Sequence, residues 1–162
     1  MINKRNLQQA LINHLELQLA KTMASAETAR KAAIDDQSKA ETQYDTLGLE
    51  ASYLAHGHSE RAQALISDIQ RCKEGLEQLS RSPKVQLGSI VGITSTLDDS
   101  KQDDYFVAPA AAGLVLLQEN KRITVITPQA PLAQAIWACE LDDEVRIIKK
   151  GQQIIAYISE LD

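Results

Sequence analysis

Apolar residues recur at helical spacing from the start of the chain. Leu7, Leu11, Leu15, Leu19 and Met23 stand every fourth position, and no Gly or Pro interrupts residues 2–34, which predicts one long helix. Beyond Met23 the stripe becomes Ala26, Ala29 and Ala33, with Ala20, Ala24 and Ala32 beside it. Small side chains on a seam let a partner helix approach closely, so this end of the helix is expected to be thin. A second helical pattern runs through Leu47, Ala51 and Leu54, then Leu65, Ile66, Ile69, Leu76 and Leu79. Two long helices with a short polar joint fold back as an antiparallel pair. At ~1.5 Å per residue, roughly thirty residues give an arm of about 45 Å. The turn falls either at Asp35 to Ser38 or at Thr46-Leu47-Gly48. His56-Gly57-His58-Ser59 reads as a third interruption, an exposed kink with Ser59 capping the next helical stretch.

The period changes at Pro83, which cannot continue a helix and biases Ser82 toward extended backbone. Val85 to Leu97 is rich in β-branched residues, and its Gly88 and Gly92 suit a bend or bulge. Asp98 to Asp104 reads as a polar loop. Tyr105 to Val107, Leu114 to Leu117 and Ile123 to Thr127 read as short strands. Pro131 to Ala138 is a short helix opened by proline, with Trp137 as a core residue. Asp142 and Asp143 suit a turn, and Glu144 to Lys149 with Ile154 to Ile158 form a closing hairpin around Lys150-Gly151-Gln152. The fold class is α+β: residues 1–82 a helical coiled-coil hairpin, residues 83–162 a small β-rich domain.

Composition narrows the function. A hydrophobic content of 44% over 162 residues is that of a folded chain, and a net charge of -5 disfavours a general nucleic-acid-coating role, which needs clustered Lys and Arg. Cys72 and Cys139 lie far apart and form no C-x-x-C pair, which fits two reduced thiols in a cytoplasmic protein. No apolar run approaches the ~18 residues of a membrane span, so no membrane partner is expected. From Asp35 to Glu60 the acids are Asp35, Asp36, Glu41, Asp45, Glu50 and Glu60 against the single base Lys39. A bland account exists: acids favour helix N-termini and keep a hairpin tip solvated. The sharper account is that the tip delivers carboxylates into a partner's basic or metal-containing cavity. His56 and His58 would point to different faces of a helix, with no third ligand nearby, and His14 stands alone.

The second half carries a resemblance. Val85-x-Leu87-Gly88-Ser89-x-Val91 leads to Tyr105-x-Val107, then Ile123-Thr124-Val125-Ile126-Thr127, Pro131-Leu132-Ala133-Gln134-Ala135, Leu141-Asp142-Asp143-Glu144-Val145 and the closing hairpin. In order and spacing, residues 84–162 resemble the carboxy-terminal domain of the Gre transcript-cleavage factors of bacterial RNA polymerase. Members of that family join an amino-terminal coiled coil with an acidic tip to an FKBP-like domain. The resemblance implies a factor, not itself an enzyme, whose globular domain docks at the rim of the polymerase secondary channel. The coiled coil reaches the active centre, where tip carboxylates help hold a magnesium ion and the polymerase cuts the 3′ end of backtracked RNA. Contact with RNA and DNA is then indirect, and the factor acts as a monomer. By this resemblance Asp36 corresponds to the family Asp and Glu41 to its Glu, with Asp35 and Asp45 as substitutes.

The tip departs from the family pattern. There a Glu follows the Asp by three residues, just before a tyrosine-containing helix; matching Tyr44 to that tyrosine leaves the acids out of step. Pro128-Gln129-Ala130 resembles an insertion, and the linker around Arg81 to Lys84 is short. A paralogue that occupies the channel and inhibits or modulates transcription without cleavage is the near alternative. An FKBP-like peptidyl-prolyl isomerase is another, needing an aromatic-lined pocket from Tyr105, Phe106, Trp137 and Tyr157. A scaffold in which the first half pairs between chains is a third.

Overall fold

The computed structural model of the protein describes residues 3–39, 47–75, 82–149 and 151–162. Helix α1 spans Lys4–Lys39 and helix α2 spans Leu47–Gly75. Asn3 opens α1 as its cap, its Oδ1 accepting from the backbone N–H of Arg5 at 3.0 Å and of Asn6 at 3.3 Å. By internal contacts the chain forms two units, Asn13–Ile69 and Met1–Ile12 with Gln70–Asp162.

The unit Asn13–Ile69 is a hairpin of the two helices, and its seam differs from the one the four-residue spacing predicts. On α1 the buried positions are Leu15, Thr22, Ala29 and Ala33, while Met23 is 57% exposed. On α2 they are Ala62, Leu65 and Ile69, with Ala51, Ala55 and His58 half-buried, while Leu54 and Ile66 face outward. A strict four-residue step advances about 40° per repeat around a helix of 3.6 residues per turn, so it drifts off any partner. The alternating steps 51, 55, 58, 62, 65 and 69 average 3.6 residues, the repeat of the helix itself, and stay on the seam. His56 to Ser59 do not interrupt α2. The helix runs through them, and the Ser59 hydroxyl donates to the Ala55 carbonyl at 2.9 Å, a bond within the helix in place of a cap. Of the two placements of the turn, Asp35 to Ser38 are helical in α1 and Leu47 and Gly48 are helical in α2, while Thr46 lies outside the described residues.

The second unit is built on one six-stranded sheet. Its strands are β1 (Ile90–Ser95), β2 (Asp98–Val107), β3 (Val115–Gln118), β4 (Lys121–Ile126), β5 (Glu144–Lys149) and β6 (Gln152–Leu161), and its one described helix besides the ends of α1 and α2 is α3 (Pro131–Ile136). The order is β3-β4-β2-β1-β6-β5, antiparallel throughout except for β2 beside β4. The β3–β4 turn places Glu119 and Asn120 at φ 49 and 65, the two left-handed residues that let a two-residue hairpin match strand twist. Gly151, at φ 78, serves the closing hairpin.

Side chains alternate across a strand, and here both faces are covered near the centre. Val91, Ile93, Val107, Ile126, Val145, Ile147, Ala156 and Ile158 form one core with Ala133 and Ile136 of α3 and with Val85. Their neighbours Ile90, Phe106 and Val125 lie on the opposite face, aligned by the registers Ile90↔Phe106 and Phe106↔Val125, and are also buried. From the ends of α1 and α2, Leu7, Leu11, Ile12 and Cys72 are buried in this unit, and a Cβ on Gly75 would lie 3.0 Å from Pro109 Cγ and 3.2 Å from Leu87 Cδ2. The last turn of α2 therefore rests directly on the segments around residues 87 and 109.

Two expectations are corrected here. Asp98 to Asp104 are not a loop but the first part of β2, where Gln102, Asp103 and Asp104 pair with Thr94, Ile93 and Gly92. Their polarity is met by cross-strand partners instead of solvent alone. Trp137 is no core residue: it follows α3 in extended conformation, 45% exposed, while Ile136 takes the buried position. Asp142, at φ 68, and Asp143, whose Oδ2 accepts from the Glu140 N–H at 2.7 Å, do form the turn before β5.

Candidate functional site

Two regions concentrate charge. The first is the acidic segment between the helices. Asp35 and Asp36 belong to the last described turns of α1, while Glu41 and Asp45 lie outside the described residues, as does Tyr44. The carboxyl end of a helix offers carboxylates no stabilisation, because the dipole presents its negative end there. The account of these acids as N-terminal helix partners therefore does not apply to Asp35 and Asp36. It applies to Glu50, which sits in the first turn of α2.

The histidines join no site. His14 bonds Gln18 Nε2 at 2.8 Å, and His56 lies 3.5 Å from Glu60, both within single helices. Among the described residues no three His, Cys, Asp or Glu side chains gather as a metal site would require.

The second region is on the sheet, and sequence reasoning missed it. The β1–β6 register shifts between Gly92 and Ile93, so Ser159 and Glu160 both address the face carrying Thr94, Gln102 and Asp104. Thr94 Oγ1 donates to Ser159 Oγ at 2.8 Å, and Ser159 Oγ donates to Gln102 Oε1 at 3.2 Å. Gln102 Nε2 donates to Asp104 Oδ1 at 2.6 Å and to Glu160 Oε2 at 2.9 Å. Lys121 Nζ closes the network, 2.9 Å from Glu160 and 3.6 Å from Asp104. Gly92 leaves room for it, since a Cβ there would collide with the Gln102 amide and lie 2.9 Å from Glu160 Cβ. Hydrogen bonds from Lys121 and then Gln102 hold the Glu160 carboxyl below the usual range, and the Glu160 bond raises Lys121. These residues span 69 positions of sequence, from 92 to 160, and no local motif links them.

Comparison with family models yields no match, and neither does comparison with curated proteins. Among solved structures, the GreA factor homologue Gfh1 of Thermus thermophilus aligns at 18% identity over 93% of this chain and 94% of its own, with a TM-score of 0.39. A second structure of the transcription factor Gfh1 aligns at 19% identity over 93% and 92%, TM-score 0.40. Gfh1 of Thermus aquaticus aligns at 15% identity over 92% of each chain, TM-score 0.39. Among the described residues no helix is long and apolar enough to cross a membrane.

Proposed function

We propose that this chain is a Gre-type regulator of bacterial RNA polymerase, a monomeric cytoplasmic factor that enters the secondary channel and stimulates the polymerase's own cleavage of backtracked RNA. The observation that carries the reading is the position of Asp35 and Asp36. They stand toward the carboxyl end of α1, where a helix gains nothing from them, in a stretch that continues through Glu41 and Asp45 before α2 begins. Acids at the junction of a helical pair, where the helix itself gains nothing from them, fit a use in a partner. The ordered residues from Val85 to the closing hairpin supply the family context.

In this reading the factor has no active site of its own. Asp36 and Glu41 are the carboxylates that would complete the polymerase's magnesium site, with Asp35 and Asp45 in support; hard oxygen donors suit that ion. The bound ion lowers the pKa of its water and offsets charge on phosphate oxygens. The chain's part is to present the two carboxylates and leave RNA and DNA to the polymerase.

The test is RNA shortening in stalled, backtracked complexes with magnesium. The protein should accelerate release of the 3′ fragment, and the double substitution Asp36→Ala/Glu41→Ala should remove the acceleration while polymerase binding stays nearly intact. Unchanged cleavage by the double variant would sink the assignment of these acids. One observation favours a second reading, a channel-occupying regulator without cleavage activity. Asp36 and Glu41 stand five apart where the family's pair stands three apart, and Asp36 is already helical. Binding that slows transcription with no shortening of RNA would select this second reading.

A further inference from the structure

Beside the network, between β2 and the start of β4, the surface holds a concavity of about 580 Å³. It arises from the strand register. β2 begins at Asp98, yet its parallel pairing with β4 starts only at Asp104↔Ile123, so the stretch before Asp104 has no β4 partner. The volume lies in the range of small-molecule sites.

The charges in this concavity are unequally satisfied. Its two acids already have cations: Asp103 pairs with Lys149, and Asp104, whose side chain is only 9% exposed, with Lys121. Four other lining side chains, Tyr105, Asn120, Arg122 and Thr124, make no side-chain hydrogen bond or ion pair among the described residues. Tyr105 and Thr124 are direct partners in the β2–β4 ladder, and Arg122, two residues before Thr124, shares its face. Burial, and then the charge of Asp103, push the Tyr105 hydroxyl upward in pKa, so it stays a donor at neutral pH. The unused functions are thus a planar guanidinium with donors only, two hydroxyls and one amide.

We propose that this concavity binds the phosphate of a small, nucleotide-sized anion, with Arg122 forking two phosphate oxygens and Tyr105, Thr124 and Asn120 donating to the rest. A guanidinium matches a phosphate edge bidentately, and a phosphate offers the several acceptor oxygens that this donor set requires. A free cation is disfavoured because both carboxylates are already neutralised. One phosphate fills a small part of the volume, leaving space for an attached body of nucleoside size. The site shares no residue with the acidic segment between the helices and stands or falls independently of the polymerase reading.

Calorimetric and NMR titration of the full chain with pyrophosphate, ATP, adenosine and citrate tests it. ATP or pyrophosphate should bind and shift the amides of Tyr105 and Thr124, and Arg122→Gln should weaken that binding about tenfold or more. Arg146→Gln, which removes the same charge from exposed β5, should leave it unchanged. ATP binding more tightly than pyrophosphate identifies a nucleotide, and equal binding an inorganic polyphosphate; both support the site. No binding of either, binding indifferent to Arg122→Gln, or adenosine or citrate binding as well as ATP, would overturn it.

Discussion

Along the helical hairpin the buried residues are slim: Leu15, Thr22, Ala29 and Ala33 face a seam of Ala62, Leu65 and Ile69. In the sheet unit the largest fully buried side chain is Phe106, and the central strands are covered on both faces. The hairpin gains stability from a narrow, repetitive seam whose contacts recur every three or four residues. The sheet depends on pairings between distant segments, such as Val91 with Leu161. The first arrangement suffers when atoms are added and the second when atoms are removed.

The largest expected effect tests the sheet. Phe106→Ala should cost about 3–5 kcal/mol, because it opens a cavity between close-packed strands. A urea unfolding midpoint within error of the parent would contradict the two-faced core. The hairpin should respond in the opposite sense. Ala29→Leu adds volume where two helices approach, and should destabilise by about 1–3 kcal/mol despite leucine's good helix propensity. Circular dichroism melts that match or exceed the parent would show the seam to be looser than its burial indicates.

The smallest effect concerns the polar face. The Glu160 carboxyl is held below its ordinary range, so its contribution is fully present above that range and is lost as pH falls through the lowered value. Lys121, raised by the same bond, contributes below its ordinary range and loses that contribution only at strongly alkaline pH. Both groups are partly exposed, so Lys121→Gln should cost less than about 1 kcal/mol near neutrality. The difference from the parent should shrink at acid pH. An equal difference at pH 3 and pH 7 would show that the lysine acts through packing and not charge.

The elements themselves were largely readable from the chain. Residue types and period predict α1, the short strands, the proline-opened α3 and the closing hairpin, because each rests on neighbours a few positions apart. Spacing alone misplaces the helical seam: a stripe every fourth residue includes Met23, but a seam that faces one partner needs steps of three as well as four and selects Thr22. Asp98 to Asp104 misled for a different reason. Their composition is that of a loop, and only the ladder with β1 and the hydrogen-bonding and ionic partners on β4 and β6 make a polar strand tolerable.

The candidate sites divide in the same way. The acidic segment is a matter of sequence, since Asp35, Asp36, Glu41 and Asp45 are neighbours in the chain. The concavity beside Arg122 and the network around Gln102 belong to tertiary structure. They exist because a bulge at Ser159 turns two successive residues to one face and because β4 starts beside the middle of β2. Sequence alone determined the helices, the strands other than the polar half of β2, and the acids between the helices, as these follow from local geometry and solvation. Strand order, register and the meeting of Lys121 with Glu160 required the folded sheet, because backbone pairing over tens of residues decides which side chains become neighbours.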